Sequence, residues 1–141
     1  MKFIFAENLD LVDPNYDFIK DRSSPAREPY WDDVYTHEIL GFAPYDGLLV
    51  SKAIVGGHIV KGKYNESQSL RFKLEGARKF LRFEESQFPN SVMWGDCGAF
   101  TYANEEMPPY TVDEIAEYYS DGKFTHGCSL DHIIFEFQDT E

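Results

Sequence analysis

Ser91-Val92-Met93-Trp94-Gly95-Asp96-Cys97-Gly98-Ala99-Phe100 is the stretch on which the fold turns. An apolar, β-prone run enters a turn of small residues, with an acid at the point of change. It reads as a strand that ends in a functional turn. Upstream, Leu48-Leu49-Val50 and Ala53-Ile54-Val55, closed by Gly56-Gly57, have the continuous apolar character of a buried parallel strand. Ile59 and Val60 extend that run after a break. Lys2 to Ala6 reads as a short first strand. Downstream, Phe124 to Leu130 reads as a fourth strand ending at Asp131, and Ile133-Ile134-Phe135 continues the apolar run.

Helical patterns fall between these runs. From Ser67 to about Phe83, Leu70, Leu74, Ala77 and Leu81 recur at the spacing of one apolar stripe. Arg71, Lys73, Arg78, Lys79 and Arg82 take the remaining positions and read as a solvated face, with phosphate contact as the alternative. Pro108-Pro109 precedes Thr111-Val112-Asp113-Glu114, a capping box that opens a helix from Val112 to about Ser120. Ile115, Tyr118 and Tyr119 form its apolar side, and Asp121-Gly122 stops it. Residues 10–36, with Pro14, Pro25, Pro29 and many Asp, read as loop. Strands alternating with helices predict an α/β fold with a parallel sheet and right-handed crossovers. Chemistry in such folds collects at the carboxyl ends of strands, where Asp96 and Asp131 fall.

The chain has 141 residues, a single domain's length, and 43% hydrophobic and 16% aromatic residues exclude a disordered or collagen-like chain. No apolar run reaches the roughly 18 residues of a membrane helix. The start, Met1-Lys2-Phe3-Ile4-Phe5-Ala6-Glu7, turns acidic too early for a signal peptide, so a cytoplasmic location is expected. A net charge of −12 is unlike a self-sufficient nucleic-acid binder. Two cysteines, Cys97 and Cys128, make neither a disulfide framework nor a four-cysteine zinc site.

Three chemistries are open at the two acids. In Gly95-Asp96-Cys97-Gly98-Ala99-Phe100, small residues such as Cys97 and Gly98 let a flat ligand approach the backbone, Phe100 can stack on it, and Asp96 can move a proton. The bland reading is a tight turn capped by its Asp. Asp131 can accept two donors from a planar base edge, or merely cap a turn. A metal on Cys97, His126, Cys128 and His132 has the right atom types but no standard spacing. A Cys97 nucleophile with His126 or His132 as base is a third option. A fourth class is a non-enzymatic acidic protein that mimics a nucleic-acid backbone. His37 and His58 read as satisfied or exposed histidines.

Five strings occur in order: Asp10-Leu11-Val12-Asp13-Pro14-Asn15-Tyr16-Asp17-Phe18, Pro44-Tyr45-Asp46-Gly47-Leu48-Leu49-Val50-Ser51-Lys52, Gly95-Asp96-Cys97-Gly98-Ala99-Phe100, Pro108-Pro109-Tyr110-Thr111-Val112 and Gly127-Cys128-Ser129-Leu130-Asp131-His132. With them the chain resembles the DpdA-like branch of the tRNA-guanine/7-deazaguanine transglycosylase superfamily, over nearly all its length. That resemblance implies the N-terminal half of a TIM barrel, about four parallel strands with crossover helices, since a full barrel takes about 250 residues. A fragment, a truncated product or one part of a split enzyme is then expected. It further implies exchange of guanine for a 7-deazaguanine in DNA, or in tRNA as in related enzymes.

By the same resemblance, Asp96 matches the general acid/base of the family's Asp-Ser-Gly-Gly-aromatic-Gln string, Phe100 the stacking aromatic, and Asp131 the acid that reads the guanine edge. Cys97 stands for Ser, Ala99 for Gly and Thr101 for Gln, departures that fit the DNA-modifying branch. The family's nucleophilic Asp and its zinc site lie on later strands, so no cofactor is expected within this chain, and it should not complete turnover alone. Half a barrel also implies an open sheet edge, and with it self-association or a partner subunit.

Overall fold

A computed structural model describes residues 1–56 and 61–134. Ile59, Val60, His58 and Phe135, which carried expectations above, lie outside the described residues. Strands β1 (Ile4–Ala6), β2 (Gly47–Ser51), β3 (Val92–Asp96) and β4 (His126–Gly127) form one sheet in sequential order, every pair parallel. Helices α1 (Thr36–Leu40), α2 (Lys52–Val55), α3 (Glu66–Glu75), α4 (Ala77–Phe80) and α5 (Val112–Gly122) occupy the connections, with a 3-10 turn over Ala99–Tyr102. This is the α/β architecture of parallel strands and crossover helices that the sequence predicts, consistent with a portion of a TIM barrel.

Strand alternation gives the sheet two unlike faces. Leu48, Val50 and Met93 are buried and join Phe72, Phe80, Leu81, Phe83 and Tyr118 in the main core. The other face carries three layers in register: Ile4, Gly47 and Val92; then Ala6, Leu49, Trp94 and His126; then Ser51 and Asp96. Leu49, Val92 and Trp94 belong to neither hydrophobic cluster of the described residues. Helices therefore cover one face, and the layered face is the one a barrel would turn inward.

Local chemistry explains where the elements depart from expectation. The second apolar run splits: Gly47–Ser51 is strand, whereas Lys52–Val55 turns into a helix closed by Gly56 at φ 77°. The predicted long helix breaks at Gly76, which sits at φ 86°, so α3 and α4 are separate helices. Half of its stripe holds: Ala77 and Leu81 are buried in the core, but Leu70 is 56% and Leu74 71% exposed, whereas Phe72 is 1% exposed. Phe72 packs against the rings of Tyr64, Phe80, Tyr118 and Phe124, a larger apolar contact than two leucines offer.

The basic cluster is not simply a solvated face. Arg71 lies over the rings of Tyr30, Trp31 and Phe80, at 5.7, 4.9 and 5.2 Å from their centroids. Arg82 donates to the carbonyls of Asp33 and Tyr30 at 2.8 and 3.1 Å and to Glu38. Arg78 donates to the carbonyls of Phe83 and Ser91. These guanidiniums fasten the irregular segment after β1 and the approach to β3, whereas Lys73 and Lys79 remain exposed.

Helix α5 opens with the predicted capping box: the Glu114 amide donates to Thr111 Oγ1 at 3.2 Å, and the Thr111 amide to Glu114 Oε2 at 2.7 Å. It runs past Ser120 to Gly122 and ends at Lys123, in the left-handed region. β4 is shorter than Phe124–Leu130, only His126–Gly127, so Cys128 lies just beyond it, as Phe3 lies just before β1.

His37 is buried and satisfied, with Nδ1 at 2.7 Å from Tyr45 Oη and Nε2 at 3.0 Å from the Leu81 carbonyl. A carbonyl can only accept, so Nε2 carries the proton and Nδ1 accepts from Tyr45. Burial lowers the basicity of the ring, in keeping with this neutral form.

A candidate base-binding site at the strand ends

Three parallel strands deliver polar side chains to one end of the sheet. Asp96 closes β3 opposite Ser51, which closes β2. Asp96 Oδ2 accepts from Ser51 Oγ at 3.3 Å and from the Gly98 amide at 3.1 Å. Gly98 takes φ 87°, and a side chain there would meet Ala53 Cβ at 2.7 Å. The small residue is thus required first by the chain's own close approach to the start of α2. Ser51 was not singled out from sequence, because a serine at a strand end has many bland uses.

Asp131 lies beyond β4, yet its side chain reaches the same place. Cys97 Sγ donates to Asp131 Oδ1 at 2.7 Å, and Tyr102 Oη donates to the Asp131 carbonyl at 3.0 Å. Asp96, Cys97 and Asp131 each bring one oxygen or sulfur within 4.8 Å of the others. The two carboxyls are therefore on one side of the sheet and within reach of one planar base. Phe100, on the 3-10 turn after Gly98, is 89% exposed and free to receive a ring.

The ground beneath these acids is set by glycines. Gly95 of β3 pairs with Gly127 of β4, and Tyr119 of α5 lies across both. Tyr119 Oη donates to the Cys128 carbonyl at 2.6 Å, while the Cys128 amide donates to Gly95 at 2.9 Å. The segment leading to Asp131 is tied down from both sides.

The other chemistries find little here. Cys97 is fully buried, and burial together with its bond to Asp131 pushes its thiol up, away from the thiolate a nucleophile needs. His126 stacks on Trp94 at 4.7 Å, and the ring nitrogens of His132 lie against the carbonyls of Ile133 and Glu105. Neither histidine is hydrogen-bonded to Cys97. Among the described residues Cys97 gathers with Asp96 and Asp131 and not with His126, Cys128 and His132, so the four-residue metal set offered by atom type is not assembled. Asp33 is held by Arg27 at 2.7 Å and Glu38 by Arg82 at 3.1 Å. Asp33 and Glu38, paired this way, are not part of a free row of charge.

The carboxyl end of β1 leads into Glu7, only 3% exposed, whose Oε1 accepts from the Asp10 amide at 2.8 Å. Burial raises this carboxyl from 4.5 to about 7. Below pH 4.5 it is protonated in both folded and unfolded chains. Between 4.5 and about 7 the unfolded chain loses its proton first, so stability falls as pH rises; above that window the loss is constant. At about 1.4 kcal/mol per unit it approaches about 3 kcal/mol. Glu7→Gln cannot ionise, so its Tm should equal that of the parent near pH 4 and exceed it by several degrees at pH 8. Equal melting at both values would remove Glu7 as the cause.

No helix among the described residues is long and apolar enough to cross a membrane. No model of a known protein family matches the chain. Over 139 residues it is 42% identical to a DNA-guanine transglycosylase from Salmonella montevideo, a match covering 98% of this chain and 32% of that protein. The chain thus spans about a third of the length of the curated relative it matches. Almost all of this chain is therefore similar to a part of a DNA-guanine transglycosylase, and that likeness, on a parallel α/β sheet with its acids at the strand ends, supports the transglycosylase superfamily.

Proposed function

We propose that the chain is the base-handling part of a DpdA-like transglycosylase that replaces guanine by a 7-deazaguanine in DNA. The observation that carries this is the meeting of Asp96 and Asp131 around the Cys97 thiol, with the exposed Phe100 three residues further along the chain. Phe100 stacks on the base, Asp131 accepts from its donor edge, and Asp96 handles its proton. A carboxylate on the rest of the enzyme attacks the sugar carbon; the glycosidic bond breaks, its electron pair leaves with the base, and Asp96 supplies the proton. The incoming base returns a proton to Asp96 as its nitrogen attacks the same carbon and frees the nucleophile. Zinc, where the resemblance places it, belongs to that other part.

DNA is favoured over tRNA by Cys97, Ala99 and Thr101, where the tRNA enzymes keep Ser, Gly and Gln, and by the acceptor named for the relative. With a net charge of −12, phosphate contacts fall to the remainder of the enzyme. Two free cysteines suit the reducing cytoplasm.

The assay is incorporation of labelled guanine and deazaguanine into DNA and into tRNA by the complete enzyme. Label in DNA is the expected result; label in tRNA alone would overturn the branch, and none in either would overturn the reaction. In the same assay Asp131→Asn should weaken or redirect base choice, because an amide offers one acceptor where the carboxylate offers two. The loss should be roughly 1.5–3 kcal/mol, a charged hydrogen bond left unmet.

A further inference from the structure

We infer that Cys97 is a positioning residue whose thiol fixes which carboxylate oxygen of Asp131 faces the base, an assignment that rests on the transglycosylase reading. The neighbours Leu130 and Ile133 pack on the core, but the Asp131 carboxylate itself has no protein partner besides Cys97 among the described residues. Asp131 lies four positions past Gly127, the last residue of β4, is exposed, and joins no strand ladder. Two bonds place it: Tyr102 Oη on its carbonyl at 3.0 Å and Cys97 Sγ on Oδ1 at 2.7 Å. The first locates the backbone, the second turns the carboxylate.

Cys97 is suited to that work. It is 0% exposed and packed with Ala53, Ala99, Tyr102, Tyr110 and Ile115, so its sulfur has no room to swing. The thiol sits one residue after Asp96, on the strand end that Ser51 and Gly98 already fix. One short segment therefore sets both acids. With Oδ1 engaged, Oδ2 has no protein donor among the described residues and is left for the ligand. A thiol is a weak donor, so Asp131 keeps most of its charge for the base.

The test uses base-exchange kinetics of the complete enzyme, with guanine as the probe. Cys97→Ala should raise KM for the base roughly tenfold while kcat stays within about twofold, the size of one lost hydrogen bond to a charged group. Cys97→Ser, which keeps a donor, should return KM to within about threefold of the parent. Infrared spectra supply a readout independent of turnover. The S–H band that disappears in Cys97→Ala should move to higher frequency in Asp131→Asn, as its acceptor weakens. An unmoved band, or an unchanged KM in Cys97→Ala, in an enzyme that exchanges guanine would overturn this assignment alone. Should Cys97→Ala not fold, Cys97 is replaced by Ser to identify the band, and its shift decides. A parent enzyme that exchanges no base would bring down the transglycosylase reading, and this assignment with it.

Discussion

Replacing Asp96 by Asn should leave the protein folded and remove base exchange by roughly 10²–10⁴-fold, the usual weight of a positioned acid/base group. Both of its recorded bonds are accepted ones, from Ser51 Oγ and the Gly98 amide. An amide oxygen accepts both, so the strand end keeps its shape. What Asn lacks is an exchangeable proton near neutral pH, and with it the step in which the leaving base is protonated and its replacement deprotonated. The contrast with Asp131→Asn is one of kind: the first should cut kcat for every base, the second should change which base is taken. Incorporation of labelled guanine by the complete enzyme reads both. Parent-like rates in Asp96→Asn would take this acid out of the mechanism and leave the converged carboxyls without a chemical purpose.

Gly95→Val should cost the fold about 3 kcal/mol or more, the scale of overpacking a filled core site. A Cβ at Gly95 would stand 2.4 and 2.5 Å from ring atoms of Tyr119 and 3.2 Å from Phe124. The ring must lift, and as it lifts it loses its bond to the Cys128 carbonyl. On the order of 10 °C should go from the Tm. The double variant Gly95→Val/Tyr119→Ala should lose less than the two single changes together, since removing the ring removes the clash. Denaturant titration of the four proteins measures the coupling; additive losses would show that Tyr119 and Gly95 do not share this contact.

The elements most legible in the sequence were those whose signal is local. Gly47–Ser51 and Val92–Asp96 are continuous apolar runs, and Thr111 with Glu114 spells out the start of α5 in four residues. Less legible were positions decided by distant partners. Leu70 and Leu74 keep perfect helical spacing, yet Phe72 wins the core because four aromatic rings wait for it elsewhere in the chain. Ala53–Val55 looked like strand, but the chain turns at Lys52, where the Ala53 amide meets the Cys97 carbonyl at 3.2 Å. At the site, Asp96 and Asp131 could be picked out as acids near strand ends. The bonds that bring them together, from Ser51, Cys97 and Tyr102, could not, because each joins segments 29 to 45 residues apart.

The register of the sheet also sets a timetable for synthesis. Ile4 of β1 must wait for Gly47, and Gly47 for Val92, before either ladder can close. Translation at about 5–20 residues per second makes each wait several seconds, whereas helices and short loops close in microseconds or less. The helices between the strands can therefore form while the strand before them is still unpaired. Of the three well-formed strands, β1 emerges first, and its partner β2 stays one-sided until β3 arrives. Slow codons between Gly56 and Val92 would lengthen that second interval, and the nascent chain would spend it with Leu48 and Val50 awaiting Met93.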